Sequence, residues 1–189
     1  MTERFLEGRG ISGGLRRFLE GRGIPGGLRR PPDVGGMLVI GLGNPYRGDD
    51  GVGPAVARAV ADLALESVTV LEHSGEGAGL VEIWMGMDMV ILVDAVSSGE
   101  TPGTVHRLDA RETPIPVGLF HHSSHVFGVA EAVELARAVG RFPPRLLVYG
   151  VVGERFASGK GLTGAVEGAV SGVVDCIVRD VQAVARRTG

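Results

Sequence analysis

The sequence predicts an α/β fold, a three-layer domain with a mostly parallel twisted sheet and helices on both faces. Three observations support it. Apolar runs of strand length alternate with longer segments of helical spacing, the first run passes through a glycine-containing loop straight into an amphipathic segment, and the most apolar run ends abruptly in an acid, Asp94.

Taken in order, the first strand is expected over 38–42 within MLVIGLG, an unbroken apolar run suited to burial on both faces. A first helix over 50–64 follows, because Val52, Val56, Val60 and Leu63 recur at three- and four-residue spacing. Further strands are expected over 68–71, 89–94, 104–108 and 146–151, and further helices over 80–85, 126–139 and 162–184. The last helix carries Val166, Val170, Val173, Ile177 and Val181 on one stripe. Helices placed between strands favour right-handed parallel crossovers, which gather the functional loops at the carboxyl edge of the sheet.

Ahead of these elements the composition is different. RFLEGRGISGGLR over 4–16 is repeated as RFLEGRGIPGGLR over 17–29, a tandem unit with only Ser12 and Pro25 differing. The unit is too short and too glycine-rich for a stacking repeat fold, and its few apolar side chains do not offset the entropy of ordering it. Residues 1–36 are therefore expected to be a disordered arginine- and glycine-rich tail, closed by Pro31-Pro32 and Gly35-Gly36, with the folded domain over 37–189. A translation start set too far upstream would produce such a tail.

Charge narrows the function. The tail holds seven arginines against four acids, which leaves 12 basic and 18 acidic residues from Met37 onward, a net charge of −6. An acidic body lacks the clustered Lys and Arg that displace phosphate counterions, so no nucleic-acid partner is expected. No apolar run is long enough to span a bilayer, and Arg16-Arg17 and Arg29-Arg30 are not followed by an apolar export segment, so neither membrane insertion nor export is expected. The single cysteine, Cys176, excludes an internal disulfide and suits a cytoplasmic protein; within the last helix it reads as a small packing residue.

Chemistry concentrates in three places. GLGNP followed by RGDDGVG joins the first strand to the first helix, but it lacks both the GxGxxG spacing and the Walker Lys-Ser/Thr, which makes nucleotide binding a weak reading. Asp49 and Asp50 there are placed either to cap the helix through its free N–H groups or to act as ligands. Asp94 ends the run MVILVD at the same sheet edge, and His125 closes His121-His122-Ser123-Ser124-His125 just before a predicted helix. Two carboxylates and an imidazole supply oxygen and nitrogen donors for a divalent transition metal, with coordination positions left for substrate or water.

In order and context, GLGNPYRGDDGVG, ILVDAV and SSHVFGVAEAV, with the later LLVYGVVGE and the GLT of residues 161–163, resemble the hydrogenase maturation proteases from Met37 nearly to Gly189. The resemblance implies an endopeptidase that removes the C-terminal extension of a nickel-containing hydrogenase large-subunit precursor after nickel insertion. By the same resemblance Asp50, Asp94 and His125 are the metal-contacting and catalytic positions. The resemblance further implies nickel presented by the precursor, the chief partner, and a monomer that meets that partner transiently is expected.

This chain departs from the family pattern twice. Many relatives carry glutamate where Asp50 stands, so the reach here is one methylene shorter. Some resemble Gly-Gly-Thr where this chain reads Ser74-Gly75-Glu76-Gly77. Two rivals remain open: a peptidyl-tRNA hydrolase-like enzyme, whose opening loop is similar to GLGNP but continues with a histidine-bearing stretch absent here, and a nickel-binding assembly factor that recognises the precursor without cutting it.

Overall fold

The computed structural model describes residues 36–75, 77–116, 128–159 and 161–188. Apart from Gly36, the expected tail lies outside the described residues, as do Glu76, His121, His122 and His125. Five strands form one sheet: β1 (Met37–Leu42), β2 (Val68–His73), β3 (Met89–Val96), β4 (Val105–Asp109) and β5 (Arg145–Val152), in the order β2-β1-β3-β5-β4. The helices are α1 (Val52–Asp62), α2 (Gly77–Ile83), α3 (Val129–Ala138) and α4 (Gly164–Thr188).

Four strands run parallel, because α1 and α2 carry the chain back between β1, β2 and β3, and α3 carries it back before β5. β4 is the exception and pairs antiparallel with β5. It follows β3 through a short link without a helix, so the chain turns back along the sheet.

Strand alternation sends the two sides of the sheet to different layers. Leu38, Ile40, Leu42, Val90 and Leu92 pack against Leu80, Trp84 and the Val129, Val133 and Ala136 face of α3. Val39, Ile91, Val93 and Tyr149 pack against Val52, Val56 and Val60 of α1 and against Val173, Ile177 and Val181 of α4. Burying each such aliphatic side chain contributes about 1.5–3 kcal/mol, which is why β1 and β3 are apolar along both faces rather than alternating. Cys176 is partly buried beside the second layer, in the packing position expected of it.

Close approach between α1 and the sheet sets the position of the first loop. A Cβ on Gly53 would lie 2.1 Å from the Leu42 carbonyl oxygen, and one on Gly41 would lie 2.1 Å from the Gly53 carbonyl oxygen, so only glycine at both positions lets helix and strand meet. The helix expected from residue 50 begins at Val52, after a 3₁₀ turn over Gly48–Gly51. Neither element has a side-chain cap, because the N-cap positions are Arg47 and Gly51, which offer no side-chain acceptor, and both aspartates of the turn are engaged elsewhere. Among the described residues no helix is long and apolar enough to cross a membrane.

Candidate active site

Register brings the chemistry to one edge. Leu42 pairs with His73 across β1 and β2, and Gly41 pairs with Val93 across β1 and β3, so His73 and Asp94 flank the end of β1 at the carboxyl edge of the sheet. The 3₁₀ turn sets Asp50 beside them. Gly43 makes room for it: its φ is +120°, and a Cβ there would stand 2.0 Å from the Asp50 carbonyl oxygen.

Asp50 and Asp94 line one cleft of about 400 Å³. One wall is Gly43–Tyr46 of the first loop, and the other runs from Glu72 and His73 of β2 into Ser74 and Gly75. The described lining contains no lysine or arginine. Asp50 and Asp94 are only 7% and 5% exposed, so they form a floor rather than a rim.

Each acid accepts from the backbone. Asp50 Oδ2 accepts from the Asn44 N–H at 3.1 Å, and Asp94 Oδ1 accepts from the Ala95 N–H at 2.8 Å. Burial, reinforced by the charge of Asp50, pushes the Asp94 carboxyl up to about 8 against the opposing pull of that single N–H. A cation at the cleft floor would reverse this balance, since it favours both ionised forms. Two carboxylates therefore suit a divalent metal, and among the described residues no third His, Cys, Asp or Glu completes an enclosing group.

Asp49, adjacent in sequence, points elsewhere. Fully buried, its Oδ2 accepts from the N–H groups of Glu154 at 2.8 Å and Arg155 at 2.9 Å and from the Thr163 hydroxyl at 3.1 Å, while its Oδ1 accepts from the Thr163 N–H at 2.7 Å. Burial alone would raise its pKa, but these bonds together outweigh it and hold the carboxyl below its ordinary value. Asp49 is thus a clamp between the first loop and the loop joining β5 to α4, not a helix cap. Backbone bonds from Gly48 N–H to Gly159 O and from Asp49 N–H to Arg155 O tighten the same junction.

His125 lies outside the described residues. The helix that follows it in sequence, α3, opens with the Gly128 N–H donating to Glu131 Oε2 at 3.0 Å. His73, Glu72 and Tyr46 also line the cleft, beyond the residues expected from sequence. A second strand extended two residues beyond Leu71 would have put His73 at the sheet edge. Ser74 and Gly75, from the segment that departs from the family pattern, stand in the cleft wall.

Comparison with known proteins places the chain by family and by fold. A family model described as hydrogenase maturation protease matches residues 54–180, a span that includes Asp94 and the position of His125. The Hydrogenase 2 maturation protease of Escherichia coli (strain K12) is 30% identical over 158 residues, 81% of this chain and 92% of that protein. The hydrogenase expression/formation protein HupD of Rhizobium leguminosarum bv. viciae is 30% identical over 152 residues, 79% of this chain and 75% of that protein. Among solved structures, an endopeptidase from Escherichia coli superposes with a TM-score of 0.68 at 30% identity, covering 82% of this chain and 94% of that one. The hydrogenase maturating endopeptidase HybD from E. coli superposes with a TM-score of 0.65 at 26% identity over the same shares.

Proposed function

This chain belongs to the hydrogenase maturation protease family, and from that membership we propose that it is a nickel-guided endopeptidase that removes the C-terminal extension of a hydrogenase large-subunit precursor. The observation that carries the nickel guidance is the meeting of Asp50 and Asp94 on one cleft floor. Two buried acids sharing a cleft repel one another, and a divalent cation presented there relieves the repulsion.

In this reading the nickel belongs to the incoming precursor. Asp50 and Asp94 contact it through their carboxylate oxygens, and His125 joins them from the segment ahead of α3. Holding the nickel centre in this way fixes the nearby peptide bond against the cleft and converts a bimolecular encounter into a positioned one. When bound, the metal supplies Lewis-acid polarisation of the scissile carbonyl or of a water, so no activated cysteine is needed; Cys176 stands on α4, outside the cleft lining. The protease acts as a monomer in the cytoplasm and releases the shortened large subunit after a transient encounter.

The test compares nickel-loaded and nickel-free precursor from the same cell, each incubated with the full chain and followed by mass spectrometry. The nickel-loaded form loses its C-terminal extension over many turnovers, and the nickel-free form stays intact. Equal shortening of both would remove nickel from the mechanism while leaving the protease, and stoichiometric binding with no shortening would support an assembly factor instead.

A further inference from the structure

We infer that Tyr46 is the recognition residue of the cleft, an aromatic anchor against which the polypeptide adjoining the cut packs before cleavage. The inference rests on the proposed function and names a contact that the nickel centre does not provide. Tyr46 lines the same cleft as Asp50 and Asp94, yet it is 62% exposed.

Exposure of a single large side chain is ordinary on a protein surface, so the location has to decide. The other exposed large hydrophobics among the described residues are aliphatic and stand away from the cleft lining: Leu63 at the end of α1, Leu135 on α3, Val139 just after it, and Val105 on the edge strand β4. Tyr46 alone of this set is aromatic and stands at the cleft.

Its backbone is held on both sides. The Tyr46 N–H donates to Asn44 Oδ1 at 2.9 Å, its carbonyl accepts from the Gly159 N–H at 2.9 Å, and the Arg47 N–H closes a turn onto the Asn44 carbonyl at 3.1 Å. The ring is therefore presented from a fixed base, and ordering it on binding costs little side-chain entropy because only two torsions are involved. On the opposite wall Glu72 is held by the Arg58 guanidinium of α1 through two bonds of 2.8 and 2.7 Å.

The occupant is a polypeptide segment carrying an apolar side chain. Pro45, Pro54 and the Tyr46 ring provide apolar contact, while Asn44 and Ser74 offer hydrogen bonds of the kind a peptide backbone uses. Continuity with the carboxylate floor places that segment beside the bond to be cut.

The experiment uses the full chain with Tyr46→Ala and Tyr46→Phe. With nickel-loaded precursor, Tyr46→Ala raises KM about tenfold and leaves kcat within about twofold, the pattern of lost binding shared by ground and transition states, and Tyr46→Phe restores KM. With nickel-free precursor, calorimetry shows the same roughly tenfold loss of affinity for Tyr46→Ala. An unchanged KM and affinity, or a fall in kcat at unchanged KM, would overturn the inference; so would a wild-type dimer that Tyr46→Ala dissolves in sedimentation, since the ring would then serve a second copy. A wild-type chain that binds the precursor but never cuts it rejects the proposed function while the binding arm still decides Tyr46. A chain that binds neither form rejects both.

Discussion

Asp49 and Asp94 are both removed from water, one fully buried and the other 5% exposed, yet their surroundings drive them in opposite directions. Asp49 collects three backbone N–H groups and a hydroxyl, and its pKa falls below the ordinary value. Asp94 collects one N–H and faces the charge of Asp50, and its pKa rises to about 8. Solvent exposure does not tell the two apart: at Asp94 burial and the charge of Asp50 outweigh a single donor, whereas at Asp49 four donors outweigh burial. An acid whose oxygens are saturated by its own chain is spent on architecture, whereas one left with a single donor at a cleft has lone pairs to offer a ligand.

The largest effect should come from the undersupplied acid. Asp94→Asn keeps the shape and removes the charge, so cleavage of nickel-loaded precursor is expected to fall at least about 1000-fold, roughly 4 kcal/mol of transition-state stabilisation, in a mass-spectrometric assay. Folding should survive, because Asn keeps the shape of a carboxyl that is already neutral in the free protein below about pH 8. The pH dependence has a definite sign. With a folded pKa of about 8 against an ordinary 3.8, the native state holds a proton that the unfolded chain has released, so stability contributed by this group falls as pH rises between those values and levels off above about 8. Urea unfolding of the free protein should show that fall, and Asp94→Asn should flatten it. Wild-type-like cleavage by the variant would erase the functional half of the contrast.

Asp49→Ala sharpens the other half. Removing the carboxylate strands three N–H groups and a hydroxyl at a buried junction, an expected loss of roughly 3 kcal/mol in urea unfolding, or a fall of roughly 6–12 °C in Tm for a chain of this size. Asp49→Asn should cost less, since one oxygen still accepts. The sign with pH is opposite to that of Asp94: stability from Asp49 is present above the ordinary carboxylate value and is lost as pH falls through its lowered pKa. Unchanged stability with abolished cleavage would move Asp49 into the chemistry and break the distinction.

Much of this arrangement was readable beforehand, for local reasons. Apolar runs ending in Leu42 and Asp94, and the stripes of α1 and α4, are short-range patterns, and the parallel order followed from the helices between strands. Asp50 and Asp94 were found because strand ends are legible and crossover connections bring those ends together. Asp49 was not separable from Asp50 in this way. Its donors are residues 154, 155 and 163, more than a hundred positions along the chain, and no local pattern in RGDDG says which acid turns toward them. His73 was missed because the alternation on β2 weakens toward its end, where Glu72 is exposed. The antiparallel course of β4 depended on a link without a helix.

Asp180 supplies an intermediate case with the smallest expected effect. On α4 it accepts two bonds from Arg107 of β4, at 2.9 and 2.8 Å, and a third from the hydroxyl of fully buried Tyr149 on β5. Burial acts to raise its pKa, but Arg107 and Tyr149 together hold it below the ordinary value, while burial and Asp180 push the Tyr149 hydroxyl upward against Arg107. Here the compensation is a real counter-ion, and one donor is in excess. Tyr149→Phe removes that donor without opening a cavity and leaves Asp180 paired, so denaturant unfolding should register a loss of only about 1 kcal/mol, with precursor cleavage unchanged. A loss nearer that of Asp49→Ala would mean that the hydroxyl, not the guanidinium, carries Asp180. Donor count would then be a poorer guide than donor burial, and Asp94 would have to be judged by how deeply its one N–H is set rather than by its being alone.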